Sequence, residues 1–161
     1  MNCGQLKEMI NHILIAVDGS GASLHAARYG LSLAAQSGAR VTLLSVLPPA
    51  EVLSIGPLQA YVPLNRPPSE GEVRRIKALF EEISTEHTGV QVEHAVELGH
   101  PAETICDWGA KHDVDLIVVG ARGLGTARRL LLGSVSQQVV QHAACPVLIW
   151  RPPPPVEPKV A

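Results

Sequence analysis

Apolar positions along this chain follow two alternating rhythms. Short β-branched runs, of which residues 12–17 (His-Ile-Leu-Ile-Ala-Val) are the first, give way to longer segments in which apolar side chains recur every three or four residues. The first rhythm predicts buried strands, the second amphipathic helices. Strand 12–17 leads into a helix over 23–37 with Leu24, Ala27, Leu31 and Ala34 on one face and Gly38 as its stop. A second strand covers 40–46. Ser69 and Glu72 have capping-box spacing and open a helix to residue 87 that turns Val73, Ile76, Phe80 and Ile83 inward. Beyond Gly89 come a strand over 90–96, a helix introduced by Gly99-His100-Pro101 and carried on Ala102, Ile105, Cys106, Gly109 and Ala110, and a strand over 115–119. A helix over 134–143 and a strand over 146–150 complete the series.

Five strands alternating with four helices predict an α/β fold: one Rossmann-like domain over residues 1–150, an open parallel sheet in the order 3-2-1-4-5, with right-handed crossovers and helices on both faces. Two segments stand outside the alternation. Residues 47–68 hold six prolines and read as a long surface loop beside the strand ends, placed to act as a lid. Residues 151–161 begin Arg151-Pro-Pro-Pro-Pro155 and read as a flexible, Pro-rich tail.

Composition narrows the possibilities. The 161 residues are 46% hydrophobic but only 3% aromatic, so Val, Leu, Ile and Ala must build the core. A formal net charge of -2 provides no broad positive field, which argues against nucleic acid as a partner. Cys3, Cys106 and Cys145 form no Cys-x-x-Cys pair, as suits reduced thiols in a cytoplasm. No apolar run is long enough to span a membrane. The seven histidines form no ligand cluster, so no structural metal is expected.

In the expected topology the strand order reverses between the first and fourth strands, and ligands of open parallel sheets bind at the carboxyl ends beside such a switch. Two signals converge there. Asp18-Gly19-Ser20 follows the first strand, and Gly120-Ala-Arg-Gly123, nine residues and Gly133-Ser134 follow the fourth. Glycines at 120 and 123 permit positive φ and close approach to the backbone, while Gly133 and Ser134 open a helix whose unpaired amides and dipole favour an anion, phosphate foremost. Asp18 suits ribose hydroxyls or a divalent ion on the phosphates. Tight turns and a helix cap would need the same glycines, and Asp18-Gly19 serves equally as an Asx turn.

The spacing Gly-x2-Gly-x9-Gly-Ser, met in full by Gly120, Gly123, Gly133 and Ser134, resembles the nucleotide-binding signature of the universal stress protein family. Ile-Ala-Val-Asp-Gly-Ser at 15–20, Leu-Leu-Leu-Gly-Ser-Val at 130–135 and Cys-Pro-Val-Leu-Ile at 145–149 are similar to further segments of that family, so the likeness runs from 12 to 150. It implies that ATP, or ADP or AMP, alone or as the Mg complex, meets Gly120, Arg122, Gly123, Gly133, Ser134 and Val135 through its phosphates and ribose. It further implies Asp18 at the ribose or the metal, and Ala16, Val46 and Val119 around the base. Ala16 departs from the proline that some members carry. Family members commonly form a homodimer through the last strand, here Val147, Leu148, Ile149 and Trp150.

Two functional classes follow. The first is an ATP-binding regulatory switch in a stress response; the second is a slow ATPase or a nucleotidyl or phosphoryl transferase in the same crevice. The sequence favours the first. It has no Gly-x4-Gly-Lys-Ser/Thr loop, no Gly-x-Ser-x-Gly elbow and no carboxylate cluster beyond Asp18.

Overall fold

The first strand, β1 (His12–Ala16), is buried on both faces, and its alternate side chains feed two separate cores. Ile13 and Ile15 point into one layer and Leu14 into the other, each fully removed from solvent. A strand covered on both sides must be flanked by helices on both sides, which is why its sequence is continuously apolar. In the computed structural model, residues 10–48, 50–55, 60–64, 68–121 and 132–151 are described.

Helix α1 (Gly21–Ser37) follows β1, with the Ser20 side chain accepting the Ser23 N–H as its cap. Next comes β2 (Arg40–Leu47). Helix α2 (Glu70–Thr85) opens on the Ser69/Glu72 capping box that the spacing predicts. Strand β5 (Val92–Leu98), helix α3 (Pro101–Lys111), strand β6 (Leu116–Gly120), helix α4 (Ser134–His142) and strand β7 (Val147–Trp150) complete the body. These boundaries lie within two residues of the expected ones.

The main sheet has the order β5-β2-β1-β6-β7, all parallel, which is 3-2-1-4-5 when its strands are counted along the chain. Helices α1 and α2 cover one face through Ala27, Leu31, Phe80 and Ile83. Helices α3 and α4 cover the other through Ala102, Ile105, Cys106 and Val139. Phe80, the single phenylalanine, is fully buried; burial of a side chain of that size is worth roughly 2–3 kcal/mol.

The connection after β2 differs from expectation. Instead of an unstructured loop over 47–68, it holds β3 (Ala50–Ile55) and β4 (Ala60–Leu64), which pair antiparallel as a separate two-stranded sheet. Proline excludes a helix interior but not a two-stranded ribbon, where one side of each strand needs no partner. The ladder accommodates Pro63: paired positions are Ala50 with Leu64 and Leu53 with Val62, and the register shifts between them.

At the amino ends of the strands a polar cluster holds β1 in place. The Asp115 carboxylate accepts the backbone N–H groups of Asn11 (2.8 Å) and His12 (3.0 Å). His12, buried at the start of β1, places Nδ1 at 3.2 Å from the His112 carbonyl and Nε2 at 2.9 Å from the Thr42 hydroxyl. A carbonyl can only accept, so Nδ1 carries the proton and Nε2 accepts. Burial, and then the nearby Arg40 guanidinium, hold this imidazole below its ordinary pKa.

Candidate functional site

At the opposite end of the sheet, β1 and β6 lie side by side while their helices depart to opposite faces. The carboxyl ends of these strands frame a crevice of about 120 Å³. Ala16, Asp18, Val46, Val119, Gly120 and Val135, all expected site residues, line it together. Its inner surface is apolar, from Leu44, Val46, Ile105 and Val119, and its polar groups are Asp18, Ser23 and Ser136. Few polar groups set into an apolar hollow are the usual makeup of a small-molecule site. A larger cavity, about 540 Å³, continues past Val17, Asp18, Val46 and Pro101 toward α2.

Asp18 is exposed at the mouth of the crevice, where its carboxylate makes a turn. Its Oδ1 accepts the Ser20 N–H at 2.9 Å, closing an Asx turn through Gly19, whose φ of +82° is the left-handed conformation that glycine tolerates best. Oδ2 has no protein partner among the described residues. The turn thus holds the Asp18 carboxylate on the crevice lining, with Oδ1 engaged by Ser20. Ser23 ties the same turn together, its Oγ donating to the Ser20 carbonyl at 2.9 Å.

Gly120 plays a different part from the one its spacing suggests. Its φ is not positive, so backbone freedom is not the reason for glycine here. A Cβ at this position would stand 2.8 Å from the Ala22 carbonyl carbon and 2.9 Å from the Ser23 nitrogen. The glycine lets the first turn of α1 approach the end of β6, and that contact brings the Asp18 turn beside the β6 wall.

Helix α4 begins beside the crevice. Gly133 is its N-cap, in extended conformation at φ −65°, ψ 154°, and its own N–H donates to the Ala121 carbonyl at 2.8 Å. That amide is therefore committed to the protein, contrary to the expectation that it is open to an anion. The Ser136 hydroxyl lies 3.1 Å from the same carbonyl and 3.0 Å from that of Gly133, fastening the helix start to the end of β6. The amides of Ser134, Val135 and Ser136 have no intrahelical acceptor, by the geometry of any helix start. Val135 and Ser136 line the crevice, whereas Gly133 and Ser134 adjoin it without lining it.

Arg122 and Gly123 lie outside the described residues, so the middle of the glycine signature has no geometry to report. Sequence reasoning missed Val17, Ser23, Leu44, Pro101, Ile105 and Ser136 on the lining. Pro101 was the findable one: it opens the helix after the third strand of the main sheet, and the parallel topology carries that helix start to the same end as the crevice. Among the described residues, no group of three or more His, Cys, Asp or Glu could hold a metal ion. Nor is any described helix long and apolar enough to cross a membrane.

Comparison with known proteins agrees with this architecture. A universal stress protein from Thermus aquaticus, encoded in the QAH/OAS sulfhydrylase 3′ region, is 38% identical, covering 89% of this chain and 100% of its own. YxiE, a universal stress protein of Bacillus subtilis, is 36% identical over the same shares, 89% and 100%. Among solved structures, UspA from Lactobacillus plantarum superposes with a TM-score of 0.68 at 26% identity, covering 88% of this chain and 98% of that one. Two more share the fold at lower identity. One is the Archaeoglobus fulgidus universal stress protein in complex with dAMP (TM-score 0.64, 21% identity, 89% and 99% covered). The other is an Arabidopsis thaliana family protein with AMP bound (TM-score 0.59, 24% identity, 93% and 97% covered). The model of the universal stress protein family matches residues 9–151, nearly the whole described body, and the chain belongs to that family.

Proposed function

We propose that this protein binds an adenine nucleotide in the crevice between the Asp18 turn and the start of α4, and acts as a nucleotide-dependent regulatory switch in a stress response. The observation that carries the reading is the convergence of Asp18, Val46, Val119, Gly120 and Val135 on one hollow, from segments far apart in sequence. The relatives of known structure with dAMP and AMP bound support it through their shared fold.

The division of chemistry follows from the lining. Ala16, Val46 and Val119 offer the flat apolar surface that a base requires, and Asp18 Oδ2 offers an acceptor for ribose hydroxyls. The first-turn amides of α4, with the Ser134 hydroxyl, suit the phosphates, and the resemblance to the family signature adds Arg122 and Gly123 as further phosphate contacts. The base occupies the crevice and the phosphates the start of α4. A Mg ion suits this donor set only in its usual nucleotide form, held by phosphates, waters and one carboxylate, that of Asp18. In the assembled protein, Val147, Leu148, Ile149 and Trp150 of β7 pair with a second copy, covering an open sheet edge in a cytoplasmic homodimer.

Among the described residues of the lining, Asp18 is the single carboxylate and there is no histidine or lysine to activate water. Binding without turnover is thus favoured over a slow ATPase or a phosphoryl or nucleotidyl transferase. Purified protein incubated with ATP, with bound nucleotide and released phosphate followed together, decides the matter. Stoichiometric binding without phosphate release supports the switch. Repeated turnover that Asp18→Ala abolishes would make it an enzyme.

A further inference from the structure

The sheet face that α3 and α4 cover contains a feature unconnected with nucleotide binding. Cys106, in the middle of α3, and Cys145, in the turn between α4 and β7, line one cavity of about 180 Å³, closed by Gly109, Val114 and Ile117. Both thiols are free and belong to the same apolar cluster. Cys106 is buried, its sulfur 4.0 Å from the Val139 carbonyl, whereas Cys145 is half-buried. A half-buried thiol and a buried one that line a shared hollow have the arrangement, though not the lowered pKa, of a reactive cysteine beside a resolving one.

We propose that Cys106 and Cys145 are a redox pair that hydrogen peroxide converts into an intramolecular disulfide across this cavity. The Cys145 thiolate attacks the peroxide, the O–O bond breaks, and Cys145 sulfenic acid and water form. The Cys106 sulfur then attacks the Cys145 sulfur and expels its oxygen as a second water. Two thiols are oxidised, one peroxide is reduced, and the two thiol protons leave in the waters.

The bond would join the ends of the chain segment that contains β6 and α4, which contribute Val119, Gly120, Val135 and Ser136 to the crevice. Oxidation therefore staples that segment. Burial pushes both thiols up, assisted by Asp107 near Cys106 and Asp115 near Cys145, and Asp113 also lines the cavity. No cation faces either thiol among these contacts, so thiolate is scarce at neutral pH and the pair answers sustained rather than brief exposure.

The test uses the full chain carrying Cys3→Ser, so that only these two thiols remain. The folded protein is treated with hydrogen peroxide, then alkylated and examined by intact mass and peptide mapping. The expected result is simultaneous loss of both alkylatable thiols, a mass lower by two hydrogens, a linked Cys106–Cys145 peptide, and restoration by a thiol reductant. The rate should rise about tenfold per pH unit below the thiol pKa values. Oxidation should raise the thermal midpoint by roughly 5–10 °C, as closure of a loop of this length implies. Cys106→Ala should instead leave Cys145 to proceed to sulfinic acid. Thiols that both remain alkylatable, or that oxidise separately or between chains without the internal link, would overturn the proposal, as would a lowered midpoint.

Discussion

Gly120 and Ala22 are in backbone contact: a Cβ on Gly120 would lie 2.8 Å from the Ala22 carbonyl carbon. Through that contact the end of β6 and the first turn of α1 meet, and the crevice exists because they do. Both neighbouring atoms belong to backbone, so no side chain can rotate away. Gly120→Ala is expected to lower unfolding stability by about 1–3 kcal/mol, the usual cost of overpacking, and to weaken nucleotide binding by displacing the Asp18 turn. Urea unfolding and a binding titration on the same preparation check both effects; wild-type stability in the variant would refute the contact.

Ser136 fastens the start of α4 through its hydroxyl to the carbonyls of Ala121 and Gly133. The Ala121 carbonyl retains the Gly133 N–H when that hydroxyl is removed, so no acceptor is orphaned. Ser136→Ala should therefore cost only about 1 kcal/mol, the net value of one hydrogen bond. Chemical denaturation measures it.

Gly133 adopts φ −65°, ψ 154°, a conformation open to any residue. A side chain there should leave the fold intact while standing beside the phosphate wall. Gly133→Val should retain its circular dichroism spectrum, lose no more than about 1 kcal/mol of stability, and bind ATP at least about tenfold more weakly. Undiminished affinity would show that the phosphates lie elsewhere.

His12 gives the fold a pH dependence of definite sign. Burial, and then Arg40, depress its folded-state pKa below the ordinary value near 6.5. The unfolded chain takes up this proton at higher pH than the folded chain does, so the contribution to stability is complete above about pH 6.5 and is lost as pH falls toward the folded value. Urea midpoints should fall between pH 7.5 and pH 5.5, and less so in His12→Gln, which retains a donor and an acceptor without titrating. An identical pH slope in the two proteins would contradict this assignment.

Much of the fold was legible because the strands of a doubly wound sheet write their burial into the sequence. Ile13, Leu14 and Ile15 are apolar in succession because helices cover both faces, and Ser69 and Glu72 announce α2 by their spacing alone. The prolines of 47–68 were misleading, since they argue against helix while leaving room for the β3–β4 ribbon, whose register shift accommodates Pro63. Within the crevice, Asp18 could be located from topology, because it follows a strand end at the switch point, whereas Val46 and Val119 came from the family resemblance. Gly120 lines the crevice without the positive φ that its glycine would permit, because spacing cannot distinguish a glycine that frees the backbone from one that admits a helix. Ser136 was invisible, because a serine in the first turn of a helix carries no mark of the carbonyls it will meet.

Equilibrium dialysis of the wild-type protein against labelled ATP and AMP, with inorganic phosphate assayed in the same cells, tests the central claim most directly. The account predicts one nucleotide bound per chain, competition between the two nucleotides for a single site, and no phosphate release above the spontaneous rate. Absence of binding by either nucleotide would contradict it.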